Sequence, residues 1–437
     1  MNIKDDSRKI KKGDTFIALN KGHDYVQDAI NNGASKVIVE KGLYDVETIV
    51  VPDTHEYLVN YLYDNYYDLI KDLKLIGMTG TNGKTTTCFL IYQALNKLNI
   101  KTAYIGTIGF YIDEKIKQTN NTTPDILEIY EMLLEAKENN CKYVVMETSS
   151  HALDMHRLDK LSFDIGIFSN LTIDHLDYHK TMENYALAKQ KLFDKVKYLS
   201  IVNSDSEYKD YFIKPSTTTY GIDSGDYKIS SYEIDMNGTT FILNDITYHT
   251  KLIGKHNLYN VLSVIVLLEY LNIGIDEIKE VISLLNPPKG RMDMVKKGNN
   301  SIIIDYAHTP DAVDKIIKTC KELKPDNIIT IIGCGGDRDR SKRPIMAKYA
   351  CDSDFAIFTT DNPRSEDPNR IISDMLQELD KTNYEIELNR EKAIIKGIQK
   401  LKNNDILLVL GKGHETYQII DNVKYDFDDK LIVINNI

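Results

Sequence analysis

The chain lacks a long apolar segment, a paired cysteine motif and an excess of positive charge. No apolar run approaches the roughly 18 residues of a membrane span, so no transmembrane helix is expected. The five cysteines include no C-x-x-C pair, which indicates a reducing compartment, and the polar first twelve residues do not read as a signal peptide. A net charge of −11 disfavours nucleic acid as a partner. We therefore predict a cytoplasmic protein.

The 437 residues are enough for about three domains, and a hydrophobic content of 42% is enough for packed cores. Strand and helix patterns alternate along most of the chain, which predicts an α/β protein built on parallel sheets. We predict a small N-terminal α/β domain over 1–71, a central phosphate-loop domain with a parallel sheet over 72–288 and a C-terminal Rossmann-like domain over 289–437. The clearest boundary is Asn286-Pro287-Pro288.

The patterns also predict individual elements near the polar motifs. The predicted strands are 73–76, 143–146, 165–169, 302–304, 328–332, 355–359 and 406–410. The predicted helices include 85–98, 126–137 and 257–271. A β-rich insert is expected over 230–248, with a turn at Asn237-Gly238.

The most informative segment is the glycine-rich turn between the predicted strand 73–76 and the predicted helix 85–98. Such a turn directs backbone N–H groups and the positive end of a helix dipole at an anion. Lys84 would reach the terminal phosphates, and the Thr85 hydroxyl would bind Mg²⁺. Met78 stands where the general phosphate-loop pattern has glycine, and the alternative is an ordinary strand–turn–helix with an isolated lysine. We predict a nucleoside triphosphate site.

Two polar segments follow neighbouring predicted strands. Glu147 ends one strand and is well placed to share Mg²⁺ with Thr85; the alternative is a solvent-facing loop glutamate. The segment 174–179, Asp-His-Leu-Asp-Tyr-His, suggests a metal or phosphate site. The alternative for that segment, a capping aspartate with surface histidines, stays open.

Three polar clusters follow strands in the C-terminal half. They are the glycine-rich segment 333–340, Asp-Asn-Pro-Arg at 361–364 and Gly-Lys-Gly-His-Glu at 411–415. At the carboxyl ends of strands in one sheet, they would form a pocket with cationic and anionic groups. A zwitterionic ligand such as an amino acid would fit there.

These segments resemble the Mur ligase family, in family order and over nearly the whole chain. The phosphate loop at 79–86 is similar to that of the family, and the segments 147–151, 174–179, 290–293 and 305–310 resemble its MurE type in particular. That type adds the third amino acid of the peptidoglycan stem peptide. The resemblance implies an N-terminal UDP-binding domain and an ATP- and Mg²⁺-dependent amide ligase acting on a UDP-N-acetylmuramoyl dipeptide and a diamino acid. A monomer is expected.

The resemblance also implies residue roles. The catalytic residues would be Lys84, Glu147, His175 and Lys189, and the metal ligands Thr85, Glu147, His175 and a carbamylated Lys189. The nucleotide would be bound by Gly80, Thr81, Asn82, Gly83, Lys84, Thr85, Thr86, Asn257, Arg291 and Asp305. The muramoyl dipeptide would contact Ser7, Thr122, Thr123, Ser149 and Arg157, and the amino acid Arg338, Asp361, Asn362, Arg364, Gly411 and Glu415. From the residue pattern alone, Lys189 would be an exposed helix lysine.

The Asp-Asn-Pro-Arg segment implies meso-diaminopimelate as the added amino acid. Arg364 would hold the distal carboxylate, and Glu415 would accept from the distal ammonium. Alternatives are the same ligase adding L-lysine or another diamino acid, another Mur or folylpolyglutamate-type ligase, and a nucleotide-dependent switch without ligase activity. For Arg364 itself, the alternative is surface pairing with Glu366 or Asp367.

Overall fold

The computed structural model describes residues 1–437, which form two compact units. The first unit comprises residues 1–227 with 262–272, and the second comprises residues 228–261 with 273–437. Both units carry α/β sheets, so the predicted fold class is confirmed. The predicted domain boundaries at 71/72 and 288/289 concern domains rather than these packing units, and they stay a prediction.

The N-terminal part of the first unit is a small parallel sheet covered by helices. Its strands lie in the order β1 (Ile3–Lys4), β2 (Thr15–Ile17), β3 (Lys36–Val39), β4 (Glu47–Val50), and its helices are α1 (Val26–Asn31) and α2 (Thr54–Ile70). Short 3₁₀ turns occupy Ser7–Lys9 and Asn20–Tyr25. The carboxylate of Asp53 begins α2 by accepting from the N–H of Glu56 at 2.9 Å.

The rest of the first unit is a larger sheet with helices on both faces. Its elements in chain order are β5 (Lys74–Thr79), α3 (Lys84–Lys97), β6 (Thr102–Gly106), β7 (Gly109–Ile112), β8 (Glu114–Lys117), α4 (Ile126–Glu138), β9 (Tyr143–Glu147), α5 (Ser150–Asp154), β10 (Phe163–Phe168), α6 (Leu176–His179), α7 (Met182–Gln190), β11 (Val196–Asn203) and β12 (Thr217–Gly221). Further 3₁₀ turns occupy Phe193–Lys195 and Lys209–Tyr211.

The order of these strands places β5 in the interior of the sheet. Strands β12-β11-β10-β5-β9-β6 are parallel to their neighbours, and β7 and β8 continue antiparallel beside β6. Ile76, Met78, Val145 and Ile167 are fully buried, as expected of parallel strands covered on both faces. The carboxyl ends of β5, β9, β10 and β6 therefore meet at one edge, where ligands bind in open α/β sheets.

The second unit holds an antiparallel insert and a second parallel sheet. The remaining elements of the chain are β13 (Tyr227–Asp235), β14 (Gly238–Leu243), β15 (Ile246–Thr250), α8 (Lys255–Tyr270), α9 (Ile275–Leu284), β16 (Asp293–Lys297), β17 (Asn300–Asp305), α10 (Pro310–Glu322), β18 (Ile328–Ile332), α11 (Lys342–Ala350), β19 (Phe355–Phe358), α12 (Pro368–Leu376), β20 (Tyr384–Ile386), α13 (Arg390–Lys400), β21 (Ile406–Leu410), β22 (Tyr417–Ile420), β23 (Val423–Asp426) and α14 (Asp429–Asn435). They belong to the second unit, except that Tyr227 of β13 and residues 262–270 of α8 belong to the first.

Strands of the second sheet lie in the order β16-β17-β21-β18-β19-β20, with all but β16 parallel to their neighbours. Two apolar clusters pack against it, one around Ile303, Ile332 and Phe358 and the other around Ile331 and Val409. The three polar clusters of the C-terminal half follow β18, β19 and β21 at one edge of this sheet. None of the helices in the chain combines the length and apolar character needed to cross a membrane.

Candidate functional site

The phosphate loop joins the end of β5 to the start of α3 and depends on two glycines. Gly80 has φ +147° and Gly83 has φ +90°, backbone angles that residues with a Cβ rarely adopt. A Cβ on Gly80 would also overlap the Ser169 hydroxyl, because the loop runs directly against the end of β10. The N–H of Thr81 donates to Asn170 O at 2.8 Å, and Ser169 Oγ donates to Asn82 O at 2.6 Å. The predicted loop residues are thus held in a defined conformation.

Lys84 lies at the first position of α3 and folds over this loop. Its Nζ donates to Gly80 O at 2.7 Å and to Thr81 O at 2.9 Å. Thr85 and Thr86 follow on the same helix and are buried. The Lys84 ammonium therefore lies on the turn that directs N–H groups at an anion.

Glu147, at the end of β9, is fully buried, so the alternative of a solvent-facing loop glutamate is wrong. Its Oε2 accepts from Thr85 Oγ1 at 2.9 Å and from Thr107 Oγ1 at 3.2 Å. Its Oε1 accepts from the Tyr104 hydroxyl at 2.5 Å and from the Thr107 N–H at 2.8 Å. A Cβ on Gly106 would overlap both this carboxylate and the Tyr104 hydroxyl. The buried charge is thus compensated by four hydrogen bonds, one of them from the phosphate-loop helix.

Lys189, on α7, is buried with 1% exposure, contrary to the exposed helix lysine suggested by the pattern alone. Its Nζ donates to Gly80 O at 3.0 Å, the same oxygen that accepts from Lys84, and lies 4.5 Å from the centre of the Tyr185 ring. Burial lowers the pKa of Lys189 well below its ordinary value, and the nearby Lys84 charge lowers it further. The structure thus joins this residue to the phosphate loop.

The histidine-rich segment is only partly at the surface. The side chain of His175 is 48% exposed, its Nε2 lies 3.4 Å from Asp174 Oδ2, and its ring centre lies 4.8 Å from that of His151. His179 is buried and shares a hydrogen bond of 2.9 Å with Ser150 Oγ. Burial lowers the pKa of all three histidines. No three His, Cys, Asp or Glu side chains come together as a group that could hold a metal ion.

The residues predicted to contact the muramoyl dipeptide lie beside Glu147. Thr107 Oγ1 lies 3.1 Å from Thr122 Oγ1. Thr123 Oγ1 donates to Glu147 O at 2.8 Å and accepts from the Ser149 N–H at 2.9 Å. Arg157 donates to Thr123 O at 3.0 Å and pairs with Asp125 at 2.9 Å. The structure therefore brings these four predicted residues, Thr122, Thr123, Ser149 and Arg157, into one hydrogen-bonded group.

Ser7, predicted to bind the UDP part of the substrate, is buried in the first 3₁₀ turn. Its carbonyl accepts from Asn32 Nδ2 at 2.9 Å. It lines a cavity of about 870 Å³ whose wall also includes Lys9, Tyr25 and Asp125. Burial raises the pKa of Asp5 in the same wall.

In the second unit, the predicted amino-acid residues surround a buried lysine. Lys412 Nζ donates to Asn362 Oδ1 at 3.0 Å and to Glu415 Oε2 at 3.1 Å, and it lies 3.8 Å from Asp361 Oδ1. Asn362 Nδ2 also donates to Glu415 Oε2 at 2.9 Å. Burial raises the pKa of Asp361, and the Lys412 charge opposes this shift. A Cβ on Gly411 would come within 2.6 Å of Asp361 Oδ2, so glycine is required for this close approach.

Arg364 lies at the rim of the same group. Its guanidinium donates to Gly336 O at 2.7 Å, and its backbone has φ +53°. The alternative that Arg364 pairs with Glu366 or Asp367 at the surface is wrong. Glu366 pairs with Arg343 at 2.9 Å, and Asp367 caps α12 by accepting from the Asn369 N–H. The predicted Arg338 is exposed, with its stem beside Gly335.

The three remaining residues predicted to bind the nucleotide also lie in the second unit. Asn257, in α8, is buried and donates to Ile253 O at 2.8 Å. The Arg291 guanidinium stacks 4.9 Å from the centre of the Tyr306 ring, and its buried Nε has no hydrogen-bond partner. Asp305 accepts from two backbone N–H groups, and burial raises its pKa while the Arg291 charge opposes the shift. An unpartnered guanidinium N–H beside an aromatic face suits a ligand with acceptor atoms.

Sequence reasoning missed the residues that hold the predicted ones in place. Tyr104 and Thr107 contact Glu147 but come from β6 and the turn after it, which no local pattern joins to β9. Lys412 was part of a noted segment, but its complete burial between Asn362 and Glu415 is a tertiary property. The signal that could have found Lys412 is its position between two glycines at a strand end.

Fold and site together define a phosphate-loop α/β protein of the nucleotide-binding class. Family models match the Mur ligase middle domain over residues 78–268 and the Mur ligase glutamate ligase domain over residues 290–413. The chain belongs to the Mur ligase family, which confirms the resemblance seen in the sequence.

Individual relatives match over nearly their full length. The chain is 41% identical to the UDP-N-acetylmuramoyl-L-alanyl-D-glutamate–2,6-diaminopimelate ligase of Clostridium perfringens, over 99% of this chain and 94% of that protein. It is 42% identical to the protein of the same name from Fusobacterium nucleatum, over 98% and 92%. A solved structure of a ligase with this name is 33% identical, with a TM-score of 0.70 and coverage of 99% and 94%.

Proposed function

We propose that the chain is an ATP-dependent amide ligase that adds meso-2,6-diaminopimelate to UDP-N-acetylmuramoyl-L-alanyl-D-glutamate in peptidoglycan synthesis. The observation that carries the proposal is the convergence at one turn of Lys84, Lys189 and the Thr85–Glu147 hydrogen bond. The names of relatives that match over nearly the whole chain supply the substrates.

The first step makes the carboxylate of the substrate's D-glutamate reactive. Oxide is a poor leaving group, so the γ-phosphoryl group of ATP is transferred to that carboxylate, giving an acyl phosphate and ADP. Lys84 neutralises charge between the two anionic reactants, and the loop N–H groups bind the phosphates. Excluding water matters because an acyl phosphate hydrolyses.

The residues around Glu147 fit a Mg²⁺ ion. A carboxylate and a hydroxyl, from Glu147 and Thr85, are the oxygen ligands that Mg²⁺ prefers, and substrate phosphates and water complete its coordination in nucleotide enzymes. His175 and Lys189 would serve a second ion, as the family resemblance implies. When bound, the ions supply charge stabilisation of the transferring phosphoryl group.

Lys189 needs a chemical change to become a metal ligand. An ammonium has no lone pair, whereas reaction of its neutral amine with CO₂ forms an N–C bond, releases one proton and leaves a carbamate with two hard oxygens. The lowered pKa of Lys189 raises the share of neutral amine available for this reaction. We propose that the active protein carries this carbamate.

The second step is attack by the amine of the incoming amino acid on the acyl phosphate, which forms the amide and releases phosphate. Arg364 offers a planar fork to the distal carboxylate of diaminopimelate, and Glu415 accepts from the distal ammonium. L-lysine has no distal carboxylate, so the Arg364 guanidinium would be left unpaired beside the distal ammonium of the lysine. The cytoplasmic location and the monomeric state stay predictions from the sequence.

Phosphate release from ATP tests the proposal. It is measured with the UDP-muramoyl dipeptide and meso-diaminopimelate, L-lysine or no amino acid. Release that requires both the dipeptide and diaminopimelate supports the ligase, and comparable or better use of lysine overturns the specificity alone. Release that ignores the amino acid is the result expected of a nucleotide-dependent switch and would contradict the whole assignment.

A further inference from the structure

Arg343, in the first turn of α11, is a fully buried arginine outside the residues discussed for substrate binding. Its two terminal nitrogens donate to both carboxylate oxygens of Glu366, at 2.9 and 3.0 Å. They also donate to Asp374 Oδ2 at 2.6 Å and to Gly335 O at 3.0 Å. The Nε of Arg343 is buried without a hydrogen-bond partner. Removing a partner of a buried ion pair leaves an uncompensated charge, which is strongly unfavourable, so the contacts of Arg343 hold its partners in place.

Two loops meet at Arg343. The glycine loop, residues 333–338, follows β18, and the arginine loop, residues 361–367, follows β19. Glu366 of the arginine loop accepts from the N–H of Asp337 in the glycine loop at 2.5 Å, and Ser365 Oγ donates back to Asp337 Oδ1 at 2.8 Å. Arg343 therefore holds Gly335 in one loop and Glu366 in the other.

The joined loops fix the guanidinium of Arg364. Its Nη1 donates to Gly336 O at 2.7 Å. Gly336 lies between Gly335, which is bound by Arg343, and Asp337, which is bound by Glu366. Arg364 also has φ +53°, a left-handed conformation that is unfavourable for a residue with a Cβ. Such a backbone persists only where the surrounding contacts over-determine it.

We propose that Arg343 and Glu366 are positioning residues that set amino-acid specificity by aiming Arg364 at the distal carboxylate of the incoming diamino acid. The inference rests on the proposed function and goes beyond it, because neither residue belongs to the predicted substrate contacts. Loosening the two loops would misplace the fork that distinguishes diaminopimelate from lysine. The ATP site, in contrast, would be unaffected.

The test compares Arg343→Lys with Arg340→Lys. Lysine keeps the charge at position 343 but cannot form the bidentate contact. Arg340 is the matched control, because it also forks onto Asp374, at 2.8 and 2.9 Å, but makes no hydrogen bond to the backbone of either loop. For both variants, kcat and KM are measured with meso-diaminopimelate, L-lysine and ATP, together with the thermal midpoint.

Arg343→Lys should raise the KM for diaminopimelate roughly tenfold or more, since misplacement of about 1 Å can cost a hundredfold. The preference for diaminopimelate over lysine should fall with it, while the KM for ATP stays unchanged. Arg340→Lys should leave all of these values near those of the original chain.

A second variant guards against simple unfolding. Glu366→Gln keeps the side-chain shape and an oxygen for the Asp337 N–H but removes the ion pair, and it should produce the same loss of preference. If the original chain shows no amino-acid-dependent phosphate release, the proposed function fails, and this inference fails with it. Only this inference is overturned if the original chain is active and the folded variants keep its preference for diaminopimelate. The same holds if kcat/KM falls equally for both amino acids, because the preference is then unchanged.

Discussion

Replacing Tyr104 with phenylalanine tests whether the buried Glu147 carboxylate is held by its hydrogen bonds. The hydroxyl of Tyr104 donates to Glu147 Oε1 at 2.5 Å, and burial followed by the Glu147 charge raises the pKa of this phenol. The ring packs edge-on against Phe89 at 5.7 Å and Tyr111 at 5.8 Å. The substitution removes one oxygen atom and leaves this aromatic packing in place.

The expected magnitude follows from the contacts that remain. A hydrogen bond to a charged group contributes about 1.5–3 kcal/mol. Oε1 would keep only the Thr107 N–H, while Oε2 would keep both hydroxyl donors, from Thr85 and Thr107. We expect Tyr104→Phe to lower the free energy of unfolding by about 1.5–3 kcal/mol. If the lost hydrogen bond instead weakens Mg²⁺ binding at Glu147 by the same free energy, half-maximal turnover would need roughly ten- to a hundredfold more Mg²⁺, because about 1.4 kcal/mol corresponds to a tenfold change in affinity.

Denaturant unfolding and a Mg²⁺ titration of turnover measure the two effects. Tyr111→Phe is the control, because Tyr111 belongs to the same aromatic group but contacts Tyr104 through its ring rather than Glu147 through its hydroxyl. Equal stability and equal Mg²⁺ requirement in the two variants would refute the claim that the Tyr104 hydroxyl holds Glu147.

Four further predictions concern the lysines, Arg364 and acid stability. Lys84→Ala should lower turnover about a hundredfold or more while the protein stays folded, because it removes the cation held on the loop; near-normal product formation would contradict the phosphate-loop assignment. Lys189→Ala should be nearly inactive and partly restored by acetate, which can supply carboxylate oxygens; mass spectrometry of the native protein in bicarbonate should show the carbamate, and an unmodified lysine in fully active protein would exclude it. Arg364→Ala should lower kcat/KM for meso-diaminopimelate by up to roughly 10⁴-fold and change that for lysine much less, as a parallel assay of both substrates would reveal. The Arg343 hydrogen bonds lower the pKa of Glu366 to about 2 from an ordinary 4.5, so the stabilisation from this ion pair is complete above pH 4.5 and is lost as the pH falls through about 2. Urea unfolding of Glu366→Gln should accordingly show a smaller loss of stability over that pH range than the original chain, and identical curves would count against the ion pair.

The strands of the second sheet could be predicted closely because each is a short continuous apolar run between polar residues. The predicted bounds 328–332 and 406–410 are those of β18 and β21. The strand predicted at 165–169 instead begins at Phe163, so Asp164 lies inside it. A carboxylate in an interior strand is tolerated here because it accepts from the Leu75 N–H at 2.9 Å and pairs with Lys74 at 3.1 Å. Those partners come from β5, which no local pattern reveals.

Some features of the site could likewise be predicted from local sequence, and others depend on tertiary packing. The phosphate loop could be read from the sequence because its glycines, lysine and threonine are consecutive. The burial of Glu147 and Lys189 could not, since it depends on strand order and on how α7 packs. A lysine beside Gln190 at a helix end has the pattern of a surface residue, and only the family resemblance indicated otherwise.

The two lysines at the phosphate loop pose an electrostatic problem that the proposed carbamate solves. Lys84 Nζ and Lys189 Nζ donate to the same oxygen, Gly80 O, at 2.7 and 3.0 Å, so the two amines are close neighbours. Two ammonium groups this close in a buried site repel each other, and the burial of Lys189 adds to the penalty. Carbamylation would replace a positive charge by a negative one and so turn repulsion into attraction. On this argument, Lys84 stabilises the carbamate as well as the phosphates, and Lys84→Ala should weaken the retention of CO₂ by Lys189, measurable as faster loss of ¹³C-labelled carbamate after bicarbonate is removed. Equal retention in the variant and in the original chain would show that burial alone controls the modification.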